Sequence, residues 1–70
     1  MPEMRRVFSS HVEEIGYDAE KQELHVKYRD GRTSVHDGVS QATADRVLSA
    51  PSIGTALHQH VRGKHGHRYA

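Results

Sequence analysis

Seventy residues make one domain at most. Only 34% of them are apolar and 6% aromatic, so the core is thin, and a chain this short buries only roughly 60% of the surface its unfolded form exposes. The absence of cysteine excludes disulfides and thiolate metal sites, and no stretch nears the roughly 20 apolar residues of a membrane span.

The net charge of +1 is unevenly spread. Residues 1–57 hold seven Lys/Arg against nine Asp/Glu, whereas residues 58–70 hold Arg62, Lys64 and Arg68 with no acid. Four of the seven histidines also lie in that last stretch, so its positive charge grows below about pH 6.5, where histidine protonates.

At the N-terminus Arg5 and Arg6 have no apolar run behind them, so no secretory signal is expected. With cysteine absent, the expected location is the cytoplasm. Residues 1–8 read as a lead-in whose Val7-Phe8 docks on the core. Val12, Ile15 and Tyr17 then mark a first strand. Val12 and Ile15 have opposite parity, and a bulge near Glu13-Glu14 reconciles them. Tyr17 reads as a half-buried residue whose hydroxyl reaches a polar partner. Asp18 opens a turn through Glu23 that contains neither Pro nor Gly.

Leu24, Val26 and Tyr28 alternate with His25, Lys27 and Arg29, which predicts a second strand. Asp30-Gly31 is a hairpin signal, and the third strand returns over Thr33 to Asp37. A two-residue loop there pairs Tyr28 with Thr33 and Val26 with Val35. It leaves His25, Lys27, Ser34 and His36 together on the other face. A longer turn with a glycine bulge reverses that parity and points Ser34 and His36 inward. Val35 favours the two-residue loop.

Ser40 is placed to cap a helix through about Ala50, with Val39 packing back on Ala44. Ala44, Val47 and Leu48 form its apolar stripe, and Pro51 ends it. Ser52 caps a second helix whose apolar positions are Ile53, Ala56, Leu57 and Val61. Gly54 in its first turn predicts close backbone packing, and Gly63 is its expected stop.

The ordered landmarks Ser9-Ser10, Ile15-Gly16-Tyr17-Asp18, Leu24-x-Val26-x-Tyr28, Gly31, Gly38-Val39, Leu48, Ala50, Ser52-x-Gly54, Leu57 and Val61 resemble the KTSC domain. That domain occurs at the C-terminus of some lysyl-tRNA synthetases and as small bacterial or phage proteins. The resemblance implies no catalytic activity; the RNA-binding role proposed for the family follows from its company with a tRNA-handling enzyme. The chain departs from the family pattern at Ser34-Val35-His36, where a Tyr-x-Tyr pair is usual. It departs again at Ser40 in place of Pro, and at Leu57-His58 in place of an aromatic-Asn pair.

Lys27, Arg29, Arg32 and His36, with His25 beside them, form a candidate basic surface on the hairpin. Arg62, Lys64, His65, His67 and Arg68 form a candidate basic arm. The competing reading is a solvated face and a solubilising tail, with Glu13, Glu14, Glu20 and Glu23 neutralising part of the sheet. No metal site or cofactor is expected. His58 and His60 point apart on a helix, and His65-x-His67 can chelate only if extended. No catalytic residue is expected either. The chain has no Cys nucleophile, phosphate loop or His-Glu-x-x-His motif, and Ser9 or Ser10 with His11 and Asp18 makes a triad only with supporting geometry.

The expectation is an α+β domain over residues 9–62, with a flexible basic tail at 63–70. A three-stranded antiparallel meander packs against two C-terminal helices, in the order β-β-β-α-α. The expected core is Val12, Ile15, Leu24, Val26, Tyr28, Val35, Val39, Val47, Leu48, Ile53, Leu57 and Val61. The expected function is a non-catalytic module binding RNA or single-stranded nucleic acid weakly through the hairpin face and tail. The alternative is a protein-interaction module or homodimeric adaptor of bacterial or phage origin, since dimerisation compensates for a small core.

Overall fold

The computed structural model describes residues 3–61 and the backbone of residues 67–69. Its elements are β1 (Arg5–Arg6), β2 (Val12–Asp18), β3 (Glu23–Tyr28), β4 (Thr33–His36), α1 (Gln41–Leu48), α2 (Ile53–His60) and β5 (His67–Tyr69). The strands form one antiparallel sheet in sequence order. The α+β class and the central meander match expectation. The sheet has five strands rather than three, because β1 adds to the edge at β2 and β5 to the edge at β4. Strands of two and three largely charged residues carry no period-two signal. Residues 67–69, expected in a free tail, pair with β4.

Several sequence signals act as predicted. The register of β2 on β3 shifts between Val12 and Glu14, so Glu13 is the bulged residue. The bulge lets Val12 and Ile15 both face the core, where they are fully buried. Asp18 Oδ1 accepts bonds from the Glu20 and Lys21 amides at 3.1 and 3.2 Å and shapes the turn into β3. That turn has no glycine; Gln22 takes the left-handed conformation instead, with φ 53°. Ser40 and Ser52 cap α1 and α2 by accepting from the amides of Thr43 and Thr55. α1 ends at Leu48, two residues before its expected end at Ala50, and α2 ends at His60, its cap Val61 lying two residues before the expected stop at Gly63.

The hairpin register differs from the favoured one. The Gly31 amide donates to the Tyr28 carbonyl at 3.0 Å, and the Tyr28 amide donates to the Arg32 carbonyl at 2.8 Å. The loop is therefore three residues, Arg29-Asp30-Gly31, with Gly31 at φ 95° as the bulge residue. Val26 pairs with Ser34, and Leu24 with His36. Ser34 and His36 thus share the helix-covered face, and Val35 sits beside His25 on the other. A single valine is weak evidence of parity here, because the second face is also covered. Val35 is 2% exposed and His25 7%. Strands buried on both faces lose their alternation.

The cover on that second face explains Gly16, which pairs with His25 in the same row. A Cβ at position 16 would lie 2.6 Å from the Glu3 carbonyl oxygen and 2.8 Å from Met4 Sδ. The N-terminal segment crosses the sheet where the side chain is missing. Gly54 is different: a Cβ there would meet only Ser9 Oγ at 3.8 Å. It has ordinary room, and the expected close packing is absent.

The main core lies between the sheet and the helices. It contains Val12, Ile15, Leu24, Val26, Val39, Ala44, Val47, Ile53, Ala56, Leu57 and Val61. Tyr28 and Leu48 only flank it, and Val35 lies outside it on the second face. Tyr17 also flanks it and ties β2 to the chain entering α1, donating its hydroxyl to the Val39 carbonyl at 2.6 Å. Burial pushes its phenol above the usual tyrosine range, and the charges of Asp45 and Asp18 act in the same direction.

Five stability outcomes are expected, all readable by thermal or urea unfolding. Gly16→Ala destabilises by about 1–3 kcal/mol through overpacking, whereas Gly54→Ala stabilises by up to about 1 kcal/mol. Leu57→Ala costs about 2–5 kcal/mol, and half-buried Leu48→Ala only about 1–2 kcal/mol. The fold favours the neutral phenol of Tyr17. Its contribution is complete below about pH 10 and is lost as pH rises through the raised folded value. Comparing wild type with Tyr17→Phe across alkaline pH should show that loss in the wild type alone.

Candidate nucleic-acid interface

The sequence-predicted basic surface is only partly assembled. Lys27 lies on the second face, its Nζ 3.7 Å from both Glu13 Oε2 and Glu14 Oε2. The bulge that turns Val12 inward places these two carboxylates beside the lysine, so the local charge is not positive. Arg32 Nε sits 3.8 Å from Asp30 Oδ2 within the turn. His36 is 3% exposed and faces the core, which removes it from any outer surface. Arg62, Lys64 and His65 lie outside the described residues. Arg68 is in β5 opposite Val35.

His36 has a polar neighbourhood inside the fold. Its Nε2 is 3.0 Å from Ser34 Oγ, which donates to the Tyr28 hydroxyl at 3.5 Å. This serine–histidine contact does not present a nucleophile, because Ser34 is 2% exposed. The alternative set of Ser9 or Ser10, His11 and Asp18 is also separated. His11 and Asp18 flank opposite ends of the seven-residue β2, a span of roughly 20 Å. Among the described residues no three His, Cys, Asp or Glu side chains could hold a metal ion. No helix among them is long and apolar enough to cross a membrane.

Arg29 is the predicted residue that the structure places in a new setting. Its Nε donates to the Ser9 carbonyl at 2.8 Å, and its backbone amide to the His11 carbonyl at 2.9 Å. The Ser9-Ser10 landmark therefore has a structural cause. Ser9 Oγ also receives the amides of His11 and Val12 at 3.4 Å each.

On one side of Arg29 lies a hollow of about 260 Å³ lined by Arg6, Val7, Phe8, Glu13 and Arg29. The Val7 amide donates to the Glu13 carbonyl at 3.1 Å, and Val7 packs against the core. Its neighbour Phe8 turns outward, correcting the expectation that both would dock. Phe8 is 103% exposed, the large apolar side chain most open to water among the described residues. On the other side lies a hollow of about 270 Å³ lined by Ser10, His11, Tyr28, Arg29 and Asp30. Arg5 and Arg6 are exposed on β1. Among the described residues no carboxylate ion-pairs with Arg5, Arg6 or Arg29.

Sequence reasoning missed Arg5, Arg6 and Phe8 as site residues. The available signal was Arg5-Arg6-x-Phe8, cations beside a flat ring. A meander with a helix pair on one face defines a small α+β domain. The KTSC domain family matches residues 8–65, and the chain belongs to that family. It is similar to the crystal structure of a KTSC domain protein from Yersinia pestis, with 28% sequence identity and a TM-score of 0.93. That likeness covers 100% of this chain and 99% of the other. No curated protein matches the chain.

Proposed function

We propose that this chain is a non-catalytic cytoplasmic module that binds RNA or single-stranded nucleic acid weakly. The surface that supports this reading is Phe8 with Arg5, Arg6 and Arg29, in place of the hairpin face. One observation carries it: a fully exposed phenylalanine shares a hollow with two arginines that have no carboxylate partner among the described residues. An aromatic ring offers a stacking platform to any base, worth about 1–3 kcal/mol, and arginines hold the backbone phosphates. Only a few phosphate contacts fit so small a surface, so affinity is modest and salt-sensitive.

The same ring could serve a protein partner or a second copy of the chain. The flanking arginines favour a polyanion, because a homodimer through this patch would bring like charges together.

An NMR titration with single-stranded RNA at low and moderate salt tests the proposal. Amide shifts should centre on Val7, Phe8 and Arg29 and weaken as salt rises. Phe8→Ala should lower affinity roughly tenfold, while Arg46→Ala on exposed α1 should change little. An absence of shifts, or shifts indifferent to salt, overturns the proposal. A dimer in solution that Phe8→Ala converts to monomer supports the protein-interaction reading instead.

A further inference from the structure

We infer that the surface is a two-nucleotide site divided by Arg29, an inference that rests on the nucleic-acid reading above. The two hollows have nearly equal volumes, about 260 and 270 Å³, and share Arg29 as a common wall. Each falls below the roughly 300–1,000 Å³ of a pocket for a complete small-molecule ligand, which suits one base apiece. Each also holds flat side chains: Phe8 in the first, Tyr28 and His11 in the second.

Arg29 is pre-set for the phosphate that joins two bases. Its Nε and its backbone amide are both anchored to the Ser9–His11 segment. The four terminal N–H donors of its guanidinium have no partner among the described residues. An anchored arginine loses less freedom on binding than a mobile one. The anchor also keeps the cation between the hollows.

The acids reinforce the arrangement. Glu13 lines the first hollow and Asp30 the second. Each is countered in part by a neighbour, Glu13 by Lys27 at 3.7 Å and Asp30 by Arg32 at 3.8 Å. Both still repel a phosphate. Both accept hydrogen bonds from the amino groups of a base. The phosphodiester is thereby steered onto Arg29 and the bases to either side. In the second hollow the Tyr28 hydroxyl is met from the core side by Ser34 Oγ, which His36 Nε2 contacts in turn. The buried polar pair thus positions the second ring.

The experiment is a titration of the full chain with uridine 5′-monophosphate, the dinucleotide UpU and a uridine tetranucleotide, followed by amide shifts. Val7 and Phe8 report the first hollow; Ser10, His11 and Asp30 report the second. UpU should move both sets and bind roughly tenfold more tightly than the mononucleotide. The tetranucleotide should move the same two sets. His11→Ala should reduce the gain from mononucleotide to dinucleotide and leave mononucleotide binding in place. Arg29→Ala should weaken all three ligands, with dispersed amide spectra showing that both variants fold. If Phe8 responds while the second set stays still at every length, the two-nucleotide site is overturned and the nucleic-acid reading stands. If neither set responds to the tetranucleotide, both fall.

Discussion

Gly31 at φ 95° is the constraint on which the rest of the sheet depends. A left-handed residue there completes a three-residue turn, and the turn length fixes the parity of β4. That parity puts Ser34 and His36 under the helices and Val35 on the opposite face. It therefore decides that the hairpin carries no outward row of histidines. The same turn projects Arg29 at its first position, back toward the Ser9–His11 segment that holds it. One backbone conformation thus sets both the content of the core and the position of Arg29.

The parity also changes the meaning of the departure at Ser34-Val35-His36. Positions 34 and 36 face the core in this fold, so residues there act on interior packing rather than as an outer stacking platform. Serine and histidine fill the space with a short polar chain ending at the Tyr28 hydroxyl. The flat side chains that do line surface hollows are Phe8, Tyr28 and His11, at the end of the hairpin and beside β1.

Much of the fold was legible because its signals are local. The Glu13 bulge follows from the parity of Val12 and Ile15, and the two helix starts follow from Ser40 and Ser52. The Tyr17 bond to Val39 fits a half-buried phenol near a strand end. What escaped was set by contacts distant in sequence. Gly16 is explained only by Glu3 and Met4 passing over it, and no period within β2 records that. Val35 misled because the second face is covered too. The site was less legible than the fold. Arg29 was identified, but His36 was assigned to the wrong face and the positive charge of Lys27 is offset by the carboxylates of Glu13 and Glu14 beside it. The family landmarks mark turns, caps and close approaches, whereas the candidate surface lies largely beside them.

The sheet's two outer strands, Arg5–Arg6 and His67–Tyr69, are only two and three residues long. A sheet edge invites another chain to continue it, and brevity and charge discourage that continuation. The central strands, whose exposed backbone would be the better template, are each flanked on both sides. The edges left open to strand addition between copies are thus the two shortest and most basic strands of the sheet, Arg5–Arg6 and His67–Tyr69.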